Sequence, residues 1–137
     1  MAKGLIVDSG LYLPSDPQAA GFTSLVQSFG GGVADETGFG QNVYAGFQIL
    51  QQIADQVQGD LTASTLMAAA NKATNLNVSL LPKPLSYSTP NPVKGYERLT
   101  NMWVLGYTWD GTTYVPLTGS AALVNAQPAL QTFVSGS

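Results

Sequence analysis

Hydrophobic and polar residues alternate most clearly between Leu99 and Trp109. The odd positions are mostly large and apolar, whereas the opposite face carries small or polar residues such as Gly106. Period-two alternation of this kind predicts a half-buried β-strand. The Asp110-Gly111 pair that follows tolerates positive φ and predicts a type I′ turn, so residues 113–117 should return as an antiparallel strand.

The predicted ribbon exposes more aromatic surface than two strands can cover. Trp103, Tyr107 and Trp109 lie on one of its faces. An isolated two-stranded ribbon is marginally stable in water, so this face needs a covering layer. We expect either another chain or the tail after Thr118 to lie against it.

Apolar residues spaced three and four apart predict three helices before the ribbon. The first begins with Ser15 or Asp16 as N-cap and Pro17 in its first turn. The second runs from about Gln41 to Val57, and the third opens at Thr62. The residues predicted to face the core are Phe22, Leu25, Val26 and Phe29 in the first helix, Val43, Phe47, Leu50, Ala54 and Val57 in the second, and Leu66, Met67 and Ala70 in the third.

The remaining segments are predicted to be strands, turns and loops. The apolar start of the chain, residues 4–13, predicts an extended segment that leaves one layer and crosses to another. A triple glycine at 30–32 is expected to end the first helix, and residues 33–40 are predicted to form a loop that contains Phe39. Pro128 interrupts any single helix in the tail, so the conformation of the tail stays open.

Composition narrows the classes of function. The 137 residues are enough for one domain, and only 9% of them are charged, against about 25% in a typical soluble domain. Five basic residues against eight acidic ones, with no basic cluster, argue against nucleic acid or an anionic membrane surface as a partner. Because the chain has no cysteine and no histidine, we expect no cofactor or metal, and no enzyme.

The surface composition also bears on location. A weakly charged surface rich in Ser, Thr, Asn and Gln fits an exported protein at least as well as a cytosolic one. The apolar run at the N-terminus is too short for a signal-peptide core, and no run reaches the length of a membrane span. If the natural protein is exported, we expect its signal to lie outside this sequence.

Three blocks of sequence, taken in order, carry a likeness to a known family. They are GLIVDSGLYLP at 4–14; GFGQNVYA at 38–45 with Gly-Asp-Leu-Thr at 59–62; and the return from Leu80 to Pro116 with its Asp-Gly turn. Together they resemble the C-terminal portion of type I periplasmic binding proteins, the solute receptors of ABC importers in the branched-chain amino-acid class. The likeness spans nearly everything up to Leu117.

The resemblance implies an α/β chain that is part of a bilobal fold. Such receptors have two lobes joined by three crossings, and this chain corresponds to roughly the last third to half of one. We expect helices within 16–74 and a C-terminal antiparallel β-ribbon. The implied division is a crossing strand at 1–14, a helical segment of one lobe at 15–79, a β return of the other lobe at 80–117, and a tail at 118–137.

The resemblance also implies a function without chemistry. The chain would be the C-terminal part of the substrate-binding component of an ABC importer, periplasmic or anchored at the bacterial cell surface. Its partners would be an amino-acid-like solute and the membrane subunits of the importer. The alternative is a structural or self-assembling protein, in which this piece of the fold associates with copies of itself.

Three aromatic residues are the candidate ligand contacts that the resemblance implies. Phe39 matches the loop aromatic that walls the family's pocket, although it could equally fold onto its own helix. Tyr44 matches the family's helix tyrosine and Tyr12 lies in the crossing strand, but packing is the commoner role for both. The paired acids Asp35 and Glu36 lack a third carboxylate at calcium-ligand spacing, so a solvated turn explains them better.

Overall fold

The computed structural model describes residues 2–29 and 38–136, in which helices and strands are mixed as predicted. Short 3-10 turns precede the first helix, at Pro17–Ala19, and the last strand, at Gly119–Ala121. In chain order the elements of the described part are β1 Ile6–Ser9, α1 Ala20–Phe29, α2 Gly38–Ala54, α3 Ala63–Ala70, β2 Trp103–Trp109, β3 Tyr114–Pro116, β4 Leu123–Asn125 and α4 Gln127–Ser135.

The sheet is antiparallel and centred on β2. One edge of β2 pairs with β1, with Val7 opposite Tyr107. The other edge pairs first with β3 and then with β4, which meets the N-terminal half of β2 with Leu123 opposite Leu105. The tail after Thr118 therefore extends the sheet at the edge of β2, whereas Tyr107 on the aromatic face is buried beside Leu13 and Asp16.

The predicted hairpin forms, but the prediction of a type I′ turn is wrong. Strand β2 starts at Trp103 rather than Leu99, and a four-residue loop, 110–113, joins it to β3. Among non-glycine residues that the structure describes, only Asn75 has a positive φ, whereas a type I′ turn would require one at Asp110. Instead, the Asp110 carboxylate accepts hydrogen bonds from the backbone N–H groups of Thr112 and Thr113, at 2.8 and 2.9 Å.

The helices enclose two small apolar clusters. In the first, α1 packs on the chain around Leu80, and in the second, α2 and α3 pack on residues 73–85. The buried members are Ala19, Phe22, Val26 and Leu80 in the first cluster, and Ile53, Ala73, Leu76 and Leu85 in the second. The prediction for Phe22 and Val26 is confirmed, but the predicted inward positions of Leu25, Phe29 and Met67 are wrong because all three are exposed.

Helix starts agree better with the sequence than helix faces do. The Asp16 side chain accepts a hydrogen bond from Gln18 N, and Thr62 forms a reciprocal capping box with Thr65. Asp and Thr are among the residues preferred at helix N-caps. Phe39 was predicted to lie in a loop, but it belongs to the first turn of α2, which begins at Gly38. The predicted glycine turn at 30–32 and the acids Asp35 and Glu36 lie outside the described residues.

Helix α2 has the reverse of its predicted orientation. Val43, Phe47 and Leu50 were expected inside, yet all three are exposed. The inner face carries glutamines whose side-chain amides bond the backbone of neighbouring segments. Gln52 pairs with both Asn77 N and Asn77 O at 2.9 Å, in the manner of a strand partner. An inward amide is stable when its donor and acceptor are both satisfied, and this requirement overrides the apolar pattern.

Replacing Gln52 should therefore weaken the fold. We expect Gln52→Ala to lower the free energy of unfolding by about 1–2 kcal/mol, because it removes two hydrogen bonds to the Asn77 backbone. Urea denaturation checks this value. Gln56→Ala is the matched control, since the exposed Gln56 side chain, just after α2, donates to Gln52 O and to no other segment of the described chain. Equal losses in the two variants would contradict the role of Gln52.

Candidate functional site

Two segments connect the sheet to the helical layer, and they lie side by side. The first follows β1 at Gly10, and the second precedes β2 at Asn101. The Asn101 side-chain amide donates to Gly10 O at 3.2 Å, and Trp103 N donates to the Asn101 side-chain oxygen at 3.1 Å. The point at which the chain leaves the sheet and the point at which it returns are thus joined by one side chain.

A buried tyrosine joins the two layers beside this crossing. The Tyr107 hydroxyl, on the central strand, donates to the Asp16 carboxylate at 3.2 Å and accepts from Leu13 N at 3.3 Å. Both Tyr107 and Asp16 are buried. Burial, followed by the neighbouring Asp16 charge, raises the pKa of Tyr107 well above its usual range, although the bond from Leu13 N acts in the opposite direction.

Tyr107→Phe should therefore cost about 1–3 kcal/mol of unfolding free energy at neutral pH, because buried Asp16 loses a donor. Since the folded-state pKa of Tyr107 is raised, its hydroxyl contributes stability below about pH 10 that is lost as the pH rises. The difference between wild type and variant should then shrink by about 1.4 kcal/mol per pH unit above pH 10. Urea denaturation at about four pH values between pH 8 and pH 11 checks this slope. A difference in unfolding free energy that stays constant over this range would contradict it.

An open cleft lies at the crossing, between the segment after β1, the start of α2 and the β2–β3 loop. Its volume is about 590 Å³, within the range of small-molecule sites. None of its lining side chains is charged. The lining residues are Ser9, Gly10, Leu11, Leu13, Pro14, Ser15, Gly38, Gln41, Asn42, Thr113 and Tyr114.

Hydrogen bonds fix the walls of the cleft. Gln41, which is buried, donates from Nε2 to Tyr12 O at 2.6 Å and so holds the crossing segment against α2. Ser15 Oγ donates to Tyr114 O at 3.0 Å and ties the opposite wall to β3. Ser9 Oγ both donates to Leu11 O and accepts from Leu11 N, which bends the chain as it leaves β1. The cleft is therefore walled largely by backbone whose conformation is held by side-chain amides and hydroxyls.

The three predicted ligand contacts do not line this cleft. Phe39 is exposed on the opposite side of the α2 turn from Gln41. Tyr44 packs against Phe22 in a tilted arrangement, with ring centroids 5.5 Å apart, and Tyr12 packs on the same apolar cluster. Burial and the nearby Asp16 charge raise the pKa of Tyr12. A ligand role for these three residues stays a prediction, and the geometry gives Tyr12 and Tyr44 a packing role.

The residues that do line the cleft were missed by sequence reasoning. Gln41 was taken only as the start of a helix, and Ser15 only as a possible N-cap. One pattern could have identified the glutamine: Gln41, Gln48 and Gln52 recur at intervals of seven and four residues and so share one helix face. Nothing comparable marks Ser15 or Tyr114, which meet only because the hairpin folds over residue 15.

The groups that line the cleft are uncharged. Its lining offers hydroxyls, side-chain amides, backbone groups and the first turn of α2, whose N-terminal end favours negative charge. Within residues 2–29 and 38–136, no group of three or more Asp or Glu residues could hold a metal ion. Among the helices described, none is long and apolar enough to cross a membrane.

In comparisons with protein-family models, curated proteins and solved structures, no match to this chain is found.

Proposed function

We propose that this chain is the C-terminal part of the substrate-binding component of an ABC importer, with a partial bilobal, periplasmic-binding-protein-like fold. In this proposal the sheet and the helical layer belong to different lobes. The observation that carries the proposal is the pair of connecting segments joined by the Asn101–Gly10 hydrogen bond, with a cleft opening beside them. Paired crossings of this kind allow two lobes to close on a solute.

The lining of the cleft is mostly apolar with hydroxyl and amide groups at its walls, which suits a small amphiphilic solute. Hydroxyl and amide groups around an apolar floor can orient a ligand without forming a bond to it. An amino acid fits this chemistry, because its carboxylate would be favoured at the first turn of α2 near Gly38. The uncharged lining contains no counter-charge for the ammonium group, so we assign that contact to the part of the receptor that precedes this chain.

The proposal extends to partners and location. A solute-binding component delivers its ligand to the membrane subunits of the importer, at the bacterial cell surface or in the periplasm. The small number of charged residues and the absence of cysteine from the sequence are compatible with a periplasmic or cell-surface location.

Saturation-transfer NMR with a panel of amino acids tests the proposal. Because half of the site is missing, we expect millimolar affinity, with Kd of about 1–10 mM and no heat in calorimetry at micromolar concentrations. Asn42→Trp places a large side chain in the cleft and should abolish the signal. Gln51→Trp, at another exposed position of α2, should leave it unchanged.

Two results would contradict the proposal. The first is the absence of a saturation-transfer signal for every amino acid at about 10 mM, a concentration that detects even very weak ligands. The second is a signal that survives Asn42→Trp, which would place binding elsewhere. Micromolar binding in calorimetry would instead overturn the claim that the site is incomplete in this chain.

A further inference from the structure

The outer face of α2 is an apolar stripe that no described part of the chain covers. Phe39 and Phe47 are 80% and 66% exposed, and Val43 and Leu50 are also exposed. We call this face the outer stripe. Its members fall within about 100° of the helix circumference and are Phe39, Val43, Gly46, Phe47, Leu50 and Ala54.

The stripe cannot rotate into the protein. Gln41, Gln48 and Gln52 on the opposite face bond Tyr12 O, Ser79 and Asn77, which fixes the orientation of the helix. No charged residue occurs anywhere in α2. A contiguous exposed apolar face of this kind indicates a contact surface rather than a solvated one.

The arrangement of the stripe is self-complementary. When two copies of α2 pack antiparallel about a two-fold axis between positions 46 and 47, every member of the stripe meets another member. The pairs are Phe39 with Ala54, Val43 with Leu50, and Gly46 with Phe47. Each phenylalanine thus meets a small residue, which is the alternation of large and small groups that close helix packing requires.

We propose that the outer stripe is the contact between two copies of this chain, packed antiparallel about that two-fold axis. An isologous contact needs one patch that complements itself, and the six positions satisfy this requirement. The absence of charge in α2 means that two copies meet without electrostatic repulsion. The space around Gly46 is open, because a Cβ there would have nothing within 4 Å, so a partner's phenylalanine can enter it.

The exposed surface of the chain is larger than that of a compact protein of its mass, and exposed apolar side chains on α1, α3 and α4 contribute to it as well as those on α2. The chain exposes 8744 Å², whereas a compact monomer of 14.3 kDa is expected to expose about 6,800 Å². The stripe is about 22 Å long, which places a contact through α2 at the low end of specific interfaces. We therefore expect a dimer with a Kd of about 10–100 µM.

Sedimentation equilibrium from about 5 to about 200 µM tests the dimer, because this range brackets the expected Kd. Phe47→Glu should raise the Kd at least about 100-fold, since it places a charge beside the axis. Gly46→Leu should weaken the dimer while leaving the helix intact, because leucine fills the space for Phe47 of the other copy. Phe133→Glu is the control, because Phe133 on α4 is 78% exposed and lies outside the stripe.

Cross-linking tests the orientation, since the chain has no cysteine of its own. Gly46→Cys places a thiol beside the axis and should form a disulfide-linked dimer on oxidation. Phe39→Cys should not, because its two copies would lie about 20 Å apart, well beyond disulfide reach. Faster linkage through Phe39→Cys would contradict the antiparallel arrangement.

A wild-type chain that remains monomeric at about 200 µM overturns the proposal and would assign the stripe to a different polypeptide. Equal weakening by Phe133→Glu and Phe47→Glu also overturns it, because the contact would then lie elsewhere.

Discussion

Leu80→Ala should lower the free energy of unfolding by about 3 kcal/mol, the largest single loss we expect from truncating an apolar side chain. Leu80 has no exposed surface and packs among Ala19, Phe22 and Val26. Its carbonyl also accepts a hydrogen bond from Tyr12 N at 2.9 Å, where the crossing segment meets the helices. The substitution removes buried methyl groups and leaves a cavity at the junction that positions the cleft.

The expected loss is large compared with the total free energy of unfolding of a domain. A domain of ordinary stability has about 5–15 kcal/mol in total, so Leu80→Ala should remove a large part of it. Urea denaturation followed by tryptophan fluorescence measures the change. Leu61→Ala is the matched control, because Leu61 is largely exposed and its truncation should stay within about 0.5 kcal/mol. A loss below about 1 kcal/mol for Leu80→Ala would mean that this cluster is not the core of the helical layer.

Gly106→Ala should destabilise the sheet by about 2–3 kcal/mol, although it adds only one methyl group. A Cβ at this position would lie 2.2 Å from Ala121 O and 3.0 Å from Leu117 Cδ1. The segment cannot move away freely, because Leu117 N donates to Gly106 O at 2.9 Å and Gly106 N donates to Ala122 O at 3.2 Å. Glycine is required here by close approach of the chain, since φ at this position is not positive.

Gly21→Ala is the control for this substitution. A Cβ at Gly21, inside α1, would meet only the Tyr44 hydroxyl at 3.8 Å, an ordinary contact. We expect a gain of up to about 1 kcal/mol, because alanine favours helix over glycine. Thermal unfolding of the two variants should therefore shift in opposite directions. A neutral Gly106→Ala would show that the tail does not pack on β2 as described.

Local signals in the sequence predict the ends of elements well. Capping at Asp16 and Thr62, and the β2–β3 hairpin, depend on residues close together in the chain, so their chemistry is visible in the sequence. The class of turn at Asp110 could not be predicted in the same way. An Asp at this position can either adopt a positive φ or accept hydrogen bonds from the N–H groups that follow it. In the structure, the Asp110 carboxylate accepts such bonds from Thr112 and Thr113.

The inner face of α2 was not predictable from apolar periodicity. That pattern assumes that apolar side chains turn inward, whereas the half-buried Gln48 and Gln52 face the protein because residues 77–79 offer backbone partners at the right distance. Those partners come from a segment about 25 residues away. Strand β4 was missed for a similar reason, since three residues are too few to show alternation and only β2 defines them as a strand.

The cleft at the crossing also could not be predicted from the sequence, because it depends on residues far apart in the chain. Gly10 and Asn101 are 91 residues apart, and only the folded chain brings them together. The resemblance to solute receptors led to aromatic candidates, whereas the geometry places hydroxyl and amide groups in the cleft. If the chain is part of a solute receptor, as proposed, aromatic contacts to the ligand would come from residues outside this sequence.

Backbone-amide chemical shifts during a titration with leucine test the central claim most directly, because they report binding residue by residue. The proposal predicts the largest changes at the crossing cleft, at Gly10, Leu11, Asn42 and Thr113. Changes confined to another part of the surface, such as the groove between Met67 and Arg98, would contradict it. So would a spectrum that does not change at all.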